Sequence, residues 1–340
     1  MIDRLIIERF KSIKYLDIPC KKVNIFIGEP NSGKSNILEA LGVFSQENFE
    51  NWTFNPTARY KTVDDFFYDS NINKEISIRT TEIGFELFFD RDKNGNSTNL
   101  FLAKYHEIDK IANPSLANGK ESLVLSLQPD GRGQTPMASG FSTSFRSYCY
   151  SRLKSFGNAY KGYLATPDGD NIPSLLKSNA ELRSRVSTIL KDLGFRLLLR
   201  PIENEIFISK EVNDEIYSYP YYSISETIQR LIFMTLAIES NKGAIMTFDE
   251  PESNTFPLYT KQIAESIAFD ESNQFFLTTH DPYLLLSLVE KTPVSDLNVF
   301  VTKMKNYETV VYPLDESQFS RLLDLGSDSF FNLSTILAGE

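Results

Sequence analysis

Residues Gly28 to Ser35 read GEPNSGKS and fit the pattern GxxxxGK(S/T), a loop whose backbone N–H groups turn inward around phosphates. Lys34 is placed to reach the β- and γ-phosphates of a nucleoside triphosphate, and the Ser35 hydroxyl to ligate Mg²⁺. Gly28, Asn31, Ser32, Gly33, Lys34, Ser35 and Asn36 are the candidate nucleotide contacts. ATP with Mg²⁺ is the expected pair. A Gly/Ser turn capping an ordinary helix is the alternative. It is disfavoured because the loop sits between an apolar strand pattern and a helical one.

Further along, Ala244 to Phe248 is an apolar run ending in Asp249 and Glu250. A carboxylate at that position holds Mg²⁺ in phosphate-loop enzymes, a role that suits Asp249. Glu250 is then placed to polarise an attacking water. Two solvated acids in a loop would be the bland reading, but it loses weight beside the phosphate loop. Phe275 to Thr279 is another apolar run with a polar end, and His280 follows it. A histidine there can contact a γ-phosphate. The expected catalytic set is Lys34, Glu250 and His280, with Ser35 and Asp249 on the metal.

Two other features have strong structural readings. Ser223 and Glu226 form S-x-x-E, the pattern of a capping box at the start of a helix. A capped N-terminus also presents free N–H groups to an anion, so Ser223 is a candidate contact to a γ-phosphate bound by a second subunit. Asp168, Gly169 and Asp170 read as a turn rather than a metal site.

The elements that must position these residues follow from periodicity. Leu5, Ile7 and Phe10 alternate with charged residues as a strand does. Val23–Ile27 is a second strand ending at Gly28, and Ile37, Leu38, Leu41 and Phe44 recur at helical spacing after the loop. Strands are expected at 75–79, 83–89, 100–104, 196–199, 205–209 and 215–218. Helices are expected at 144–156, 172–193, 225–239, 258–269 and 282–288. Strands at 244–248, 274–279, 298–302 and 308–312 complete the list. Both ends alternate strands and helices, while the middle is more β-rich. The economical organisation is one α/β core built from residues 1–50 and 220–340. Residues 51–219 form an inserted α+β subdomain, with mobile loops around 112–142.

Composition narrows the function classes. Lys and Arg number 35 against 45 Asp and Glu, a balance of −10 that argues against a broadly basic nucleic-acid-coating surface while leaving room for a local groove. Cys20 and Cys149 stand far apart and without CxxC spacing, so no disulfide framework or zinc knuckle is expected. With no long apolar run and no leader pattern at Met1, the expected compartment is the cytoplasm, away from any membrane.

Together these motifs resemble the ABC-class ATPases of the RecF, SMC and OLD kind. Ile6 to Ile13 (IIERFKSI) resembles the strand and turn ahead of the phosphate loop there, and Asn31 to Leu41 (NSGKSNILEAL) resembles that loop and its helix. Asp249 to Glu252 (DEPE) resembles the acidic motif of the OLD group, and Thr278 to His280 its switch histidine. The resemblance covers residues 1–45 and 220–312. It implies a P-loop NTPase fold with a mixed β-sheet core and a homodimer or higher oligomer closed around ATP. In that dimer Ser223 occupies the signature-serine position of the facing subunit, although Ile224 and Ser225 stand where the family usually has glycine. Within this sequence neither the nuclease domain of the OLD nucleases after His280 nor the long arms of SMC proteins are expected. What remains is similar to stand-alone OLD-like ATPases that act beside a separate effector protein in antiphage defence. The expected function is thus an ATPase that gates an effector or a DNA transaction, in defence or repair. The rivals are a nucleotide-dependent scaffold with negligible turnover and, from another class, a nuclease.

Overall fold

The computed structural model describes residues 1–45, 58–91, 97–107, 121–134 and 143–338. The chain opens with a hairpin of β1 (Arg4–Phe10) and β2 (Ile13–Pro19). β3 (Val23–Ile27) follows and is buried at all five positions, as a strand covered on both faces must be. α1 (Lys34–Gly42) begins inside the phosphate-loop motif. β4 (Ile76–Thr80), β5 (Ile83–Arg91), β6 (Ser97–Glu107), β7 (Glu121–Leu127) and β8 (Gly133–Gln134) then run antiparallel, and β9 (Phe145–Tyr148) follows. α2 (Ile172–Ser178) and α3 (Ala180–Asp192) lead into a meander of β10 (Arg196–Arg200), β11 (Glu205–Val212) and β12 (Glu215–Pro220). α4 (Glu226–Ser240), β13 (Ile245–Asp249), α5 (Pro257–Phe269), β14 (Gln274–Thr278) and α6 (Pro282–Lys291) alternate as expected. β15 (Leu297–Lys305), β16 (Glu308–Pro313), α7 (Glu316–Leu325) and α8 (Leu333–Ala338) close the described chain.

The strands form three sheets. The central one has the order β16-β15-β3-β14-β13-β9, parallel except for β16. A larger antiparallel sheet runs β2-β1-β4-β5-β6-β7-β8, so the opening hairpin and the middle segment share one surface. β9 also comes from the middle segment, yet it forms one edge of the central sheet beside β13. The period-two alternation of strands assigns each residue a side. Val23, Ile25 and Ile27 face a core shared with α2 to α6, while Phe26 joins Phe276 and Phe300 in a second core with α1 and the antiparallel sheet. α1 is therefore clasped between two sheets, with Ile37, Ala40 and Leu41 fully buried.

Four expectations differ from the observed elements. Residues 144–156 form β9 and irregular chain instead of a helix, because pairing with Ile245–Phe248 and burial of Phe145 and Tyr148 outweigh local preference. The helix expected over 172–193 breaks at Asn179, whose extended backbone ends α2 and whose side chain accepts the Leu182 N–H to cap α3. Beyond the tail strands lies an additional helix, α7, started by a capping box of Asp315 and Gln318. Of the loops expected around 112–142, residues 121–134 hold β7 and β8; the others lie outside the described residues.

Candidate functional site

The phosphate loop leaves β3 and enters α1, and its shape is imposed from behind. Gly28 has φ +147° and Gly33 φ +94°, backbone that favours glycine. A Cβ on Gly28 would lie 2.1 Å from the Thr302 carbonyl oxygen, and one on Gly33 would lie 1.9 Å from Thr309 Oγ1. The β15–β16 hairpin thus presses on both glycines. Asn31, also at positive φ, is exposed and carries the bend between them.

Lys34 is buried. Its Nζ donates to the carbonyls of Gly28 (3.0 Å) and Glu29 (2.8 Å) and reaches Ser32 Oγ at 3.4 Å. Burial lowers its pKa, against the pull of Glu250 and Asp249. Ser35 Oγ donates to Asp249 Oδ1 at 3.2 Å, so two hard oxygen donors meet at the mouth of the loop. The same Asp249 oxygen accepts from Thr278 Oγ1, and that hydroxyl accepts the Glu250 N–H at 3.1 Å. Glu250 has φ +48°, an uncommon conformation for a non-glycine residue, and its carboxylate accepts from Ser253 Oγ at 3.1 Å. The imidazole Nε2 of His280 lies 3.5 Å from Glu250 Oε1. Burial first, then Lys34, depress the His280 pKa below its ordinary value, so the ring is neutral at pH 7.

Lys34, Ser35, Asp249, Glu250 and His280 are therefore gathered at the carboxyl ends of β3, β13 and β14, where open parallel sheets bind ligands. Two of the sequence candidates have side chains engaged with other partners. The Asn36 side chain donates to Ser12 Oγ at 2.7 Å, and Ser12 in turn bonds Thr309 Oγ1. Ser223 forms no capping box. α4 starts at Glu226 with Ser225 as its N-cap and no side-chain cap bond. Ser223 Oγ donates to the Pro220 carbonyl at 2.7 Å, while the Glu226 carboxylate turns to Arg230 at 2.9 Å. The i,i+4 ion pair takes the acid away from the N-cap amide. Among the described residues no hydrogen bond joins Ser223 to the gathered five.

Several side chains that shape the site are not among the sequence's candidate site residues. Thr278 links the two acidic residues, as described above. Gln229, fully buried in α4, donates to the Ile224 carbonyl at 2.8 Å and the Tyr222 carbonyl at 3.4 Å. Arg152 grips the same Tyr222 carbonyl with Nε (2.8 Å) and Nη2 (2.6 Å). These two hold the Ser223 turn against the segment after β9. Gln229 stands out in sequence as a polar residue next to the run LIFMTLAI, but nothing there reveals its partners. Near the other end of the loop, the Lys11 ammonium and Arg59 Nε both bond the buried Glu39 carboxylate, tying the turn after β1 to α1.

A phosphate-loop glycine pair, a lysine at the start of α1 and acids at the end of a parallel strand define a P-loop NTPase fold. The chain belongs to the family described as "AAA domain, putative AbiEii toxin, Type IV TA system", whose model matches residues 23–287. One solved structure supports the fold, and two more show a weaker likeness. An SMC head bound to the C-winged helix domain of ScpA is 15% identical over 93% of this chain and 99% of its own, with TM-score 0.51. The SMC head domain from Thermotoga maritima is 14% identical over 92% and 99%, with TM-score 0.43. An SMC head with an extended coiled coil, bound to the C-terminal domain of ScpA derived from Pyrococcus furiosus, is 13% identical over 95% and 98%, with TM-score 0.47. No curated protein matches this chain. No described helix is long and apolar enough to cross a membrane.

Proposed function

We propose that this protein binds ATP with Mg²⁺ in the Gly28–Ser35 loop, hydrolyses it, and closes as a dimer to regulate a separate effector protein or a DNA transaction. The observation that supports this most directly is the convergence of Ser35 and Asp249 beside Lys34, Glu250 and His280. In this reading the loop amides and Lys34 hold the phosphates, helped by the positive end of α1. Ser35 and Asp249 hold the metal, and their paired oxygens suit a hard cation. Bound there, Mg²⁺ supplies positive charge against the phosphate oxygens. Glu250 accepts a proton from the attacking water. Its left-handed backbone, pinned by Thr278, aims the carboxylate. The neutral His280 ring beside it is able to donate to a phosphate oxygen. Ser223 is assigned to the nucleotide of a facing copy, in the cytoplasm. The family description names a putative AbiEii toxin of a type IV TA system, which supports a role for this protein beside a second gene product.

The ordered but glycine-poor turn at Ser223 to Ser225 favours a second reading, a nucleotide-dependent scaffold with negligible turnover. A steady-state phosphate-release assay with parallel nucleotide binding separates the two. Wild-type protein should release phosphate, Lys34→Ala should lose nucleotide binding, and Glu250→Gln should bind normally with turnover down at least about 100-fold. Normal hydrolysis by Glu250→Gln would remove Glu250 from its role. ATP binding without phosphate release by the wild type would establish the scaffold.

A further inference from the structure

Glu252 follows Glu250 across Pro251 and takes no part in the scheme above. It is 7% exposed, deep for a carboxyl group. One oxygen, Oε1, accepts from Thr279 Oγ1 at 2.6 Å and from the His280 backbone N–H at 3.3 Å. The other, Oε2, is buried without a hydrogen-bond partner. Burial raises its pKa to about 7 in spite of those donors. A carboxyl group left half-satisfied in the interior costs free energy that a serine or asparagine acceptor would reduce. Its position is informative. Thr279 Oγ1 also accepts the Asp281 N–H at 2.9 Å, and Asp281 caps α6 by accepting from Tyr283 N–H and Leu284 N–H. Glu252 is thus the inner anchor of a chain of bonds running from the loop after β13, through the turn after β14, to the start of α6.

The His280 backbone is held from the β13 loop by Glu252, and its ring lies 3.5 Å from the neighbouring Glu250 carboxylate. We propose that Glu252 is a positioning residue for His280: it locks the Thr279–Asp281 turn to the acidic loop, so that the imidazole keeps its place beside Glu250 and Lys34. The inference rests on the proposed ATPase reading for its kinetic consequence, although the geometry it describes is independent of turnover.

The test compares Glu252→Ala, Glu252→Gln and Thr279→Val with wild type. Steady-state kinetics should show kcat down about tenfold in Glu252→Ala and Thr279→Val, with KM changed by less than about twofold. Glu252→Gln keeps the Oε1 acceptor while losing the charge, and should stay within about twofold of wild type. Histidine NMR supplies a readout that needs no turnover, since the sequence holds His106 and His280 alone. The titration midpoint of His280 should move in Glu252→Ala and Thr279→Val and hold in Glu252→Gln. A wild-type midpoint in Glu252→Ala, or Glu252→Gln as impaired as Glu252→Ala, overturns the proposal. If Glu252→Ala does not fold, Thr279→Val carries both measurements with the side-chain volume kept. A wild-type protein without ATPase activity would defeat the ATPase reading, and the NMR series would still decide the positioning.

Discussion

Burial, more than any single ion pair, sets the charge states around the phosphate loop. Lys34 and His280 are both pushed toward their neutral forms by desolvation, and the carboxylates of Glu250 and Asp249 pull the other way. Bound phosphate would add to that pull on Lys34. Glu252 shows the same physics with the opposite sign, its pKa raised from an ordinary 4.5 to about 7. A carboxyl group raised in the folded state holds more protons there than in the unfolded chain, so stability falls as pH rises across that interval. The contribution is complete below pH 4.5, and it is lost as pH rises through about 7. Glu252→Gln cannot titrate. The thermal midpoint of wild type, measured against that variant, should therefore decline between these two values and stay level above them. Parallel curves across the range would show that the carboxyl group is not desolvated as described. In sequence Glu252 is one letter of the DEPE motif. Its burial and its bond to the His280 amide come from the way β14 lies against β13.

At the scale of elements, local signals and packing compete. Leu175, Leu176, Leu182, Val186 and Leu190 share one buried face across the α2–α3 break, which is why the apolar period reads as one helix. Asn179 interrupts it, and its side-chain Oδ1 accepts the Leu182 N–H at 3.0 Å. Asn179→Ala should lower the free energy of unfolding by about 1 kcal/mol, the usual worth of such a cap, and leave ATP affinity unchanged. Urea denaturation with a nucleotide titration checks both halves. A loss of affinity would mean that this helix pair shapes the site. The Ser223 turn teaches the converse lesson. S-x-x-E is a sound local signal, but Arg230 takes the acid and the Pro220 carbonyl takes the serine, so the pattern is present and the box is not. β9 was illegible for a different reason, since its strand state depends on Ile245–Phe248, about 100 residues away.

The whole molecule places β14 between β3 and β13 in the central sheet. The phosphate loop and the acidic pair are thus not on adjacent strands, and Thr278 and His280 come up between them. If a second copy completes the nucleotide site, the mass of Glu250→Gln in solution should double when ATP is added and stay monomeric without it. Multi-angle light scattering reads this directly. A monomer under both conditions would remove the dimer from the proposed mechanism. By itself the sequence determined the phosphate loop, the acidic strand end, the histidine after the next strand and the alternation of α and β elements. These are local patterns, in which spacing along the chain sets the geometry. Only the tertiary structure decided that β15 and β16 press on Gly28 and Gly33, that Asn36 turns to Ser12, and that Glu252 is buried against the His280 turn. Each of those depends on strands distant in sequence becoming neighbours, and no local period carries that information.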